Sequence, residues 1–274
     1  MIDTPPDTDG KAPEAGSDGL ISEPTRHPAL WPPRGSPWFG DYSVRDFATK
    51  FLIQQDDFAE VERYREANVA ERAFPGARPA VVLMGDSITD FWPVDAVAIP
   101  PGLRLLNRGI AGQNSSVMLL RFHADVIAQA PAAVVILAGT NDLRAYAGDP
   151  DAMTEAALER LGSNLAAMTA MAKGRGIAVA LSTLPPVGGD LTSVARSPRA
   201  VDAVNAWIRA FAEAGGHPVA DYHTALADSA GLLSPQHSDD GIHPNRRAYD
   251  LMAPALIGAI EALRLLPPVP DLPA

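Results

Sequence analysis

The sequence predicts a three-layer α/β fold, with helices packed on both faces of a parallel sheet, on three observations. Five strand-like runs, at 79–85, 103–107, 133–138, 177–182 and 218–221, alternate with helical patterns, which implies parallel strands joined by right-handed crossovers. Two of the runs are apolar without interruption, as in strands covered on both faces. With 274 residues, 47% of them hydrophobic, the chain is long and apolar enough for a substantial core.

Composition narrows the function classes. The formal net charge is -11, from 22 Lys plus Arg against 33 Asp plus Glu, so the chain has no electrostatic footprint for a phosphate backbone. Nucleic acid is excluded as an expected partner, and so are anionic membrane surfaces. With no cysteine there is no disulfide, no thiolate metal site and no cysteine nucleophile. The sequence holds no run of about 18 apolar residues, the length needed to span a bilayer. The opening Met1-Ile2-Asp3-Thr4-Pro5-Pro6 is acidic and broken by proline, unlike a secretory signal, which gives a cytoplasmic expectation.

Residues 1–40 hold eight of the 26 prolines and show no hydrophobic period, so they read as an extended or disordered arm, with Trp31, Trp38 and Phe39 placed to pin its end onto a domain surface. Residues 41–75 read as an N-terminal helical extension. There Phe47, Phe51, Phe58, Val61 and Tyr64 recur at helical multiples with charges between them, the pattern of an amphipathic segment packed across the main domain. The domain itself spans 76–266. After its first strand come helices over about 115–129, 152–174, 198–214 and 245–264, and 267–274 form a proline-rich tail.

In a parallel α/β sheet the loops after successive strands gather at one edge, so residues distant in sequence meet there. After the first strand stands Gly85-Asp86-Ser87; after the second, Asn107-Arg108-Gly109-Ile110-Ala111-Gly112-Gln113-Asn114; after the third, Gly139-Thr140-Asn141-Asp142; before the last helix, Ser238-Asp239-Asp240-Gly241-Ile242-His243-Pro244-Asn245. A serine hydroxyl needs a base within hydrogen-bond reach and a group that orients the base. Asp240 and His243, three apart across a glycine, supply both: the carboxylate accepts from Nδ1–H while Nε2 faces Ser87. The developing oxyanion needs donors fixed in advance, and the candidates are the Ser87 N–H, the Gly112 N–H and the Asn141 side-chain amide. Read singly, Gly85-Asp86-Ser87 is no more than a strand end with a serine helix cap; the other three blocks are what favour the catalytic reading.

The same four blocks, Gly85-Asp86-Ser87-Ile88, Asn107 to Gly112, Gly139 to Asp142 and Asp240 to Pro244, resemble the signature blocks of the SGNH hydrolases, the GDSL esterase/lipase family. By position, the resemblance places the family's serine, glycine, asparagine and histidine on Ser87, Gly112, Asn141 and His243, and its acid on Asp240. It implies a flavodoxin-like fold with a five-stranded parallel sheet, ester hydrolysis through an acyl-enzyme, and no cofactor. Ile88 stands where the family motif ends in leucine, as in members similar to the platelet-activating-factor acetylhydrolase and carbohydrate esterase branches. Short-chain acyl esters, acetylated carbohydrates and lysophospholipids are the implied substrates. The Gly-x-Ser-x-Gly elbow of α/β-hydrolases is missing from the sequence.

Two other readings share these residues. His237, Asp239, Asp240 and His243 carry side chains that suit zinc or manganese, which would make a metal-dependent hydrolase but leave the Gly112 and Asn141 blocks unexplained. A catalytically silent binding module on the same fold is the other. Of the remaining polar groups, Asp86 and Asp142 read as loop-holding carboxylates, Gly109 as a turn glycine, and His123 and His217 as core or surface residues. Phe91 and Trp92 read as core or as the wall of an acyl pocket.

Overall fold

The computed structural model describes residues 56–73, 79–144, 150–188 and 196–265. The arm at 1–40 with its three aromatics, Phe47 and Phe51 of the extension, and the tail at 267–274 lie outside the described residues.

The sheet has five strands, β1 Ala80–Gly85, β2 Arg104–Gly109, β3 Ala133–Ile136, β4 Ala178–Ser182 and β5 Val219–Ala220, all parallel and ordered β2-β1-β3-β4-β5. The helices α1 Arg65–Ala73, α2 Ser87–Asp90, α3 Ser115–Asp125, α4 Pro150–Lys173, α5 Pro198–Gly215, α6 Tyr222–Leu226 and α7 Arg246–Ala262 lie between and around them. This is the doubly wound, flavodoxin-like order, in which the chain steps from β1 to one side and then returns to the other, so a crevice opens beyond the ends of β1 and β3.

β1 shows why its sequence makes a central strand. Every residue from Ala80 to Gly85 is buried, with β2 on one side and β3 on the other. Its apolar run therefore packs helices on both faces, and β-branched Val81 and Val82 suit the pleated surface. β2 is an edge strand with partly buried side chains. On the helical side, Ala157, Leu161, Leu165, Met168 and Ala172 recur every three or four residues along α4 and are buried in the core. Replacing Leu161 or Leu165 by alanine would cost about 2–5 kcal/mol.

The helices start where side chains can satisfy their first amides. Asn114 accepts from the N–H groups of Ser116 and Val117, Ser197 from Ala200, and Asn245 from Ala248. At the far end of α5, Gly216 takes the left-handed conformation that closes the helix.

Several boundaries differ from those expected. β2 continues through Arg108 and Gly109, residues assigned to a loop from sequence, because Gly109 pairs with Gly85 and its missing side chain lets α2 pack against the strand end. A Cβ there would lie 2.1 Å from the Asp90 nitrogen. The helix expected over 115–129 ends at Asp125, and a 3₁₀ turn at Ile127–Gln129 follows. β3 stops at Ile136, two residues early.

The described part of the N-terminal extension departs in kind from an apolar amphipathic face. A 3₁₀ turn, Val61–Tyr64, precedes α1, and Phe58 is 62% exposed. What fastens it is polar. Tyr64 Oη donates to the Gly109 carbonyl at 2.5 Å, Asn68 donates to Asp125 Oδ1 at 2.7 Å, Arg104 pairs with Glu71, and Arg63 pairs with Asp90 at 2.6 Å. Asn68 is the buried residue of α1, and Arg108 donates to it at 2.9 Å while lying over the Tyr64 ring.

Candidate active site

Ser87 is the first residue of α2, directly beyond β1. Asp86 caps that helix by accepting from the Ile88 N–H at 2.9 Å, and Gly85 is required because a Cβ would fall 2.0 Å from Thr89 Oγ1. The tight strand-to-helix turn that results leaves Ser87 at the helix start, where its N–H has no acceptor within the helix.

Opposite stands the turn before α7. Asp240 Oδ1 accepts from the backbone N–H groups of Ile242 and His243 at 2.9 and 2.8 Å and from Ser238 Oγ at 3.2 Å. Its other oxygen lies 2.5 Å from His243 Nδ1, and His243 Nε2 lies 2.8 Å from Ser87 Oγ. Asp240, His243 and Ser87 thus form one hydrogen-bonded row, as their spacing anticipates.

Burial works against ionisation of Asp240, but the His243 ring and the two backbone amides outweigh it and hold the carboxyl well below the usual range. An ionised carboxylate can only accept, so Nδ1 carries the proton and Nε2 is left to accept from the Ser87 hydroxyl. The Phe91 ring stands 5.5 Å from the imidazole, while Trp92 is buried against Tyr222 and Tyr249. Tyr249 Oη donates to the Ile88 carbonyl at 2.8 Å, tying α7 to α2.

The loops carrying Gly112 and Asn141 are joined to each other. Gly112 has φ +83°, a conformation other residues rarely adopt. The carbonyl of the next residue, Gln113, accepts from Asn141 Nδ2 at 3.0 Å, and the same amide nitrogen lies 3.5 Å from Asp86 Oδ2. Asp142 binds the loop from beneath, accepting from the Ser115 N–H at 2.9 Å and from the Ser115 hydroxyl at 2.5 Å. Asp86 thus holds its own turn, and Asp142 ties its loop to the start of α3, 27 residues away.

Asp86 is also a fully buried carboxyl, pushed up to about 6 by burial against the opposing pull of the Ile88 N–H, His243 and Arg196. Of the other histidines, His123 is exposed on α3, and His217 sets Nδ1 3.1 Å from the Val179 carbonyl beside Phe211.

The alternative ligand set of His237, Asp239, Asp240 and His243 is not brought together. His243 turns its two ring nitrogens to Asp240 and Ser87, and among the described residues no three His, Cys, Asp or Glu side chains are grouped to hold a metal ion.

Arginines near the site escaped the sequence reading, Arg121 and Arg196 above all. Arg121 is wholly buried: its guanidinium donates to the Gly85 carbonyl at 3.0 Å, the Arg108 carbonyl at 2.8 Å, Gln113 Oε1 at 2.6 Å and Asp125 at 2.8 Å. It stitches the ends of β1 and β2 to the Gly112 loop. Arg196 donates to the Thr140 carbonyl and to Asn141 Oδ1. A lone arginine in an α/β sequence carries no local signal; the pairing of Arg121 with Asp125, four apart on one helix, is the nearest thing to one.

A sequence profile of the GDSL-like Lipase/Acylhydrolase family matches residues 83–251, which takes in Ser87, Gly112, Asn141, Asp240 and His243. The chain belongs to that family. It is a hydrolase, on the fold of that family's solved structures. A GDSL-like lipase from Bacteroides thetaiotaomicron is 32% identical, with 75% of this chain and 98% of that one covered at a TM-score of 0.60. A putative acylhydrolase from Bacteroides fragilis is 32% identical over 77% and 99% of the two chains, with a TM-score of 0.61. The acetylxylan esterase Axe2 from Geobacillus stearothermophilus is 25% identical over 68% and 95%, with a TM-score of 0.56. No curated protein sequence matches the chain significantly. Among the described residues no helix is long and apolar enough to cross a membrane.

Proposed function

We propose that this GDSL hydrolase is a serine esterase that cleaves carboxylic esters of short acyl groups, acetyl above all, through an acyl-enzyme on Ser87. The observation that carries the reading is the hydrogen-bonded row Asp240–His243–Ser87. His243 Nε2 takes the Ser87 proton as Oγ attacks the ester carbonyl, and the tetrahedral oxyanion is met by the Ser87 N–H, the Gly112 N–H and Asn141 Nδ2. The carbonyl re-forms, the alcohol leaves with the proton from His243, and water enters by the reverse sequence to release the acid. Asp240 orients the imidazole and stabilises its charged form. Each preset oxyanion donor is worth about 10²–10³-fold in rate.

The short acyl preference is supported by the likeness to the acetylxylan esterase, whose substrate class suggests an acetylated carbohydrate. A panel of p-nitrophenyl esters from acetate to decanoate, run beside acetylated xylo-oligosaccharides, tests both parts. Turnover is expected to peak at the short chains and to vanish in Ser87→Ala, with the fold retained by circular dichroism. Substantial turnover in Ser87→Ala would overturn the nucleophile assignment. A peak at decanoate would overturn the acyl preference, and no ester turnover by the native chain would favour a binding module.

A further inference from the structure

The side-chain amide of Asn141 can act as an oxyanion donor only in one of its two orientations. Rotated by half a turn, it would set a carbonyl oxygen against the developing negative charge. Its neighbours decide between the orientations. On one side the Gln113 carbonyl, which can only accept, faces Nδ2 at 3.0 Å. On the other, Arg196 Nη2 stands 2.6 Å from Oδ1, with Arg144 Nη2 at 3.1 Å. A guanidinium only donates, so the atom facing it must be oxygen.

From these contacts we infer that Arg196 is a positioning residue of the esterase: it fixes the Asn141 amide with Nδ2 toward the oxyanion and polarises it for that task. Three features support the assignment. Arg196 is buried, at 6% exposure, so its charge acts with little screening by water. It grips the loop twice, through Nε to the Thr140 carbonyl at 2.7 Å and through Nη2 to Asn141 Oδ1, which restrains backbone and side chain together. A cation on Oδ1 also draws electron density from the amide nitrogen and strengthens its N–H groups as donors, through a bond that is already formed before substrate arrives. Arg144 is only partly buried and more distant, and plays the lesser part.

The chain carries Arg196 to this place from the segment between β4 and α5, directly before the α5 cap at Ser197. A fourth strand-end loop thus contributes to the site, besides those after β1, β2 and β3.

The inference rests on the serine esterase reading, and the test separates the two. Steady-state hydrolysis of p-nitrophenyl acetate is compared for the native chain, Asn141→Ala, Arg196→Met, Arg196→Lys and the double variant Asn141→Ala/Arg196→Met, with thermal unfolding recorded for each. Arg196→Met is expected to lower kcat about tenfold, less than the ~10²–10³-fold of deleting a donor outright, with little change in KM. Arg196→Lys, which keeps the charge but lacks the fork, is expected to fall between. In the Asn141→Ala background the arginine substitution is expected to cost nothing further in kcat, a coupling that a purely structural role would not produce.

An impaired Asn141→Ala beside native kcat in both folded Arg196 variants would overturn this inference and leave the esterase standing. So would additive losses in the double variant, or a raised KM at unchanged kcat, which would make Arg196 a substrate contact. Native kcat in Asn141→Ala would overturn the oxyanion assignment and this inference with it. Should Arg196→Met fail to fold, Arg196→Lys in the two Asn141 backgrounds gives the same coupling.

Discussion

The turn that carries Asp240 and His243 is held almost wholly by groups within ten residues of itself, whereas the loops that carry Ser87, Gly112 and Asn141 depend on ties between distant segments, such as Asp142 to Ser115, Arg121 to Gly85, Asn141 to Gln113 and Arg196 to Thr140. In the first, Asp240 folds the backbone of its own turn around one carboxylate oxygen, and Asn245 closes it by donating to the Gln236 carbonyl and accepting from Ala248. The Gly188 N–H on the Gly241 carbonyl is one of its few outside ties. In the second, Arg121, Asp142 and Arg196 cross between elements to reach strand-end and loop backbones, and each is buried. A base can be delivered by a local turn because one imidazole needs one acceptor and one donor. In the proposed mechanism the oxyanion hole is assembled from three chain segments, which must be fixed relative to one another, and long-range polar ties do that.

Substitutions in the two halves should therefore part activity from stability. Asp240→Asn is expected to lower kcat by about 10⁴-fold, because an amide at that place favours the wrong imidazole tautomer, while thermal unfolding moves little since Oδ1 can still accept the two backbone N–H groups. An unfolding loss as large as that of a core variant would mean the base turn is woven into the fold after all. Arg121→Met should do the opposite. It leaves Asp125 buried without its cation and the Gly85 and Arg108 carbonyls without a donor, and is expected to cost about 3–5 kcal/mol in urea unfolding. A loss under 1 kcal/mol would show that the loops stand without it.

The smallest effect concerns Asp86, the cap of α2. Its carboxyl is pushed up to about 6 by burial, above the value of about 3.9 in an unfolded chain. The folded chain holds that proton more tightly, so the stability this group contributes is full below about pH 3.9 and is lost as pH rises through about 6. Asp86→Asn cannot ionise and still offers an acceptor to Ile88. Its stability relative to the native chain should climb between pH 4 and pH 7 in paired urea melts. A flat difference would place the Asp86 carboxyl in the ordinary range.

How far the sequence could be read follows the same division. β1 and β3 were legible because uninterrupted apolar runs have one common home, and the Asp240/His243 pair was legible because its geometry is set by a spacing of three. Ser87, Gly112 and Asn141 were legible as polar blocks at strand ends, since a parallel sheet collects such ends at one edge. Arg121 and Arg196 were not. Their roles depend on which carbonyls the completed fold brings beside them, and nothing adjacent in sequence records it. In the described part of the extension the contacts were not legible for a related reason: Phe58 keeps a helical spacing yet is exposed, and Tyr64 and Asn68 fasten the segment through hydrogen bonds that no hydrophobic period encodes.

The central claim is that Ser87 is the nucleophile activated by His243. Labelling with a fluorophosphonate, followed by peptide mass spectrometry and residual esterase assays, tests it most directly. The account predicts one adduct, on Ser87, formed in step with loss of activity and strongly slowed in His243→Ala. Full inactivation with the adduct on another residue, or full activity after Ser87 is labelled, would contradict it.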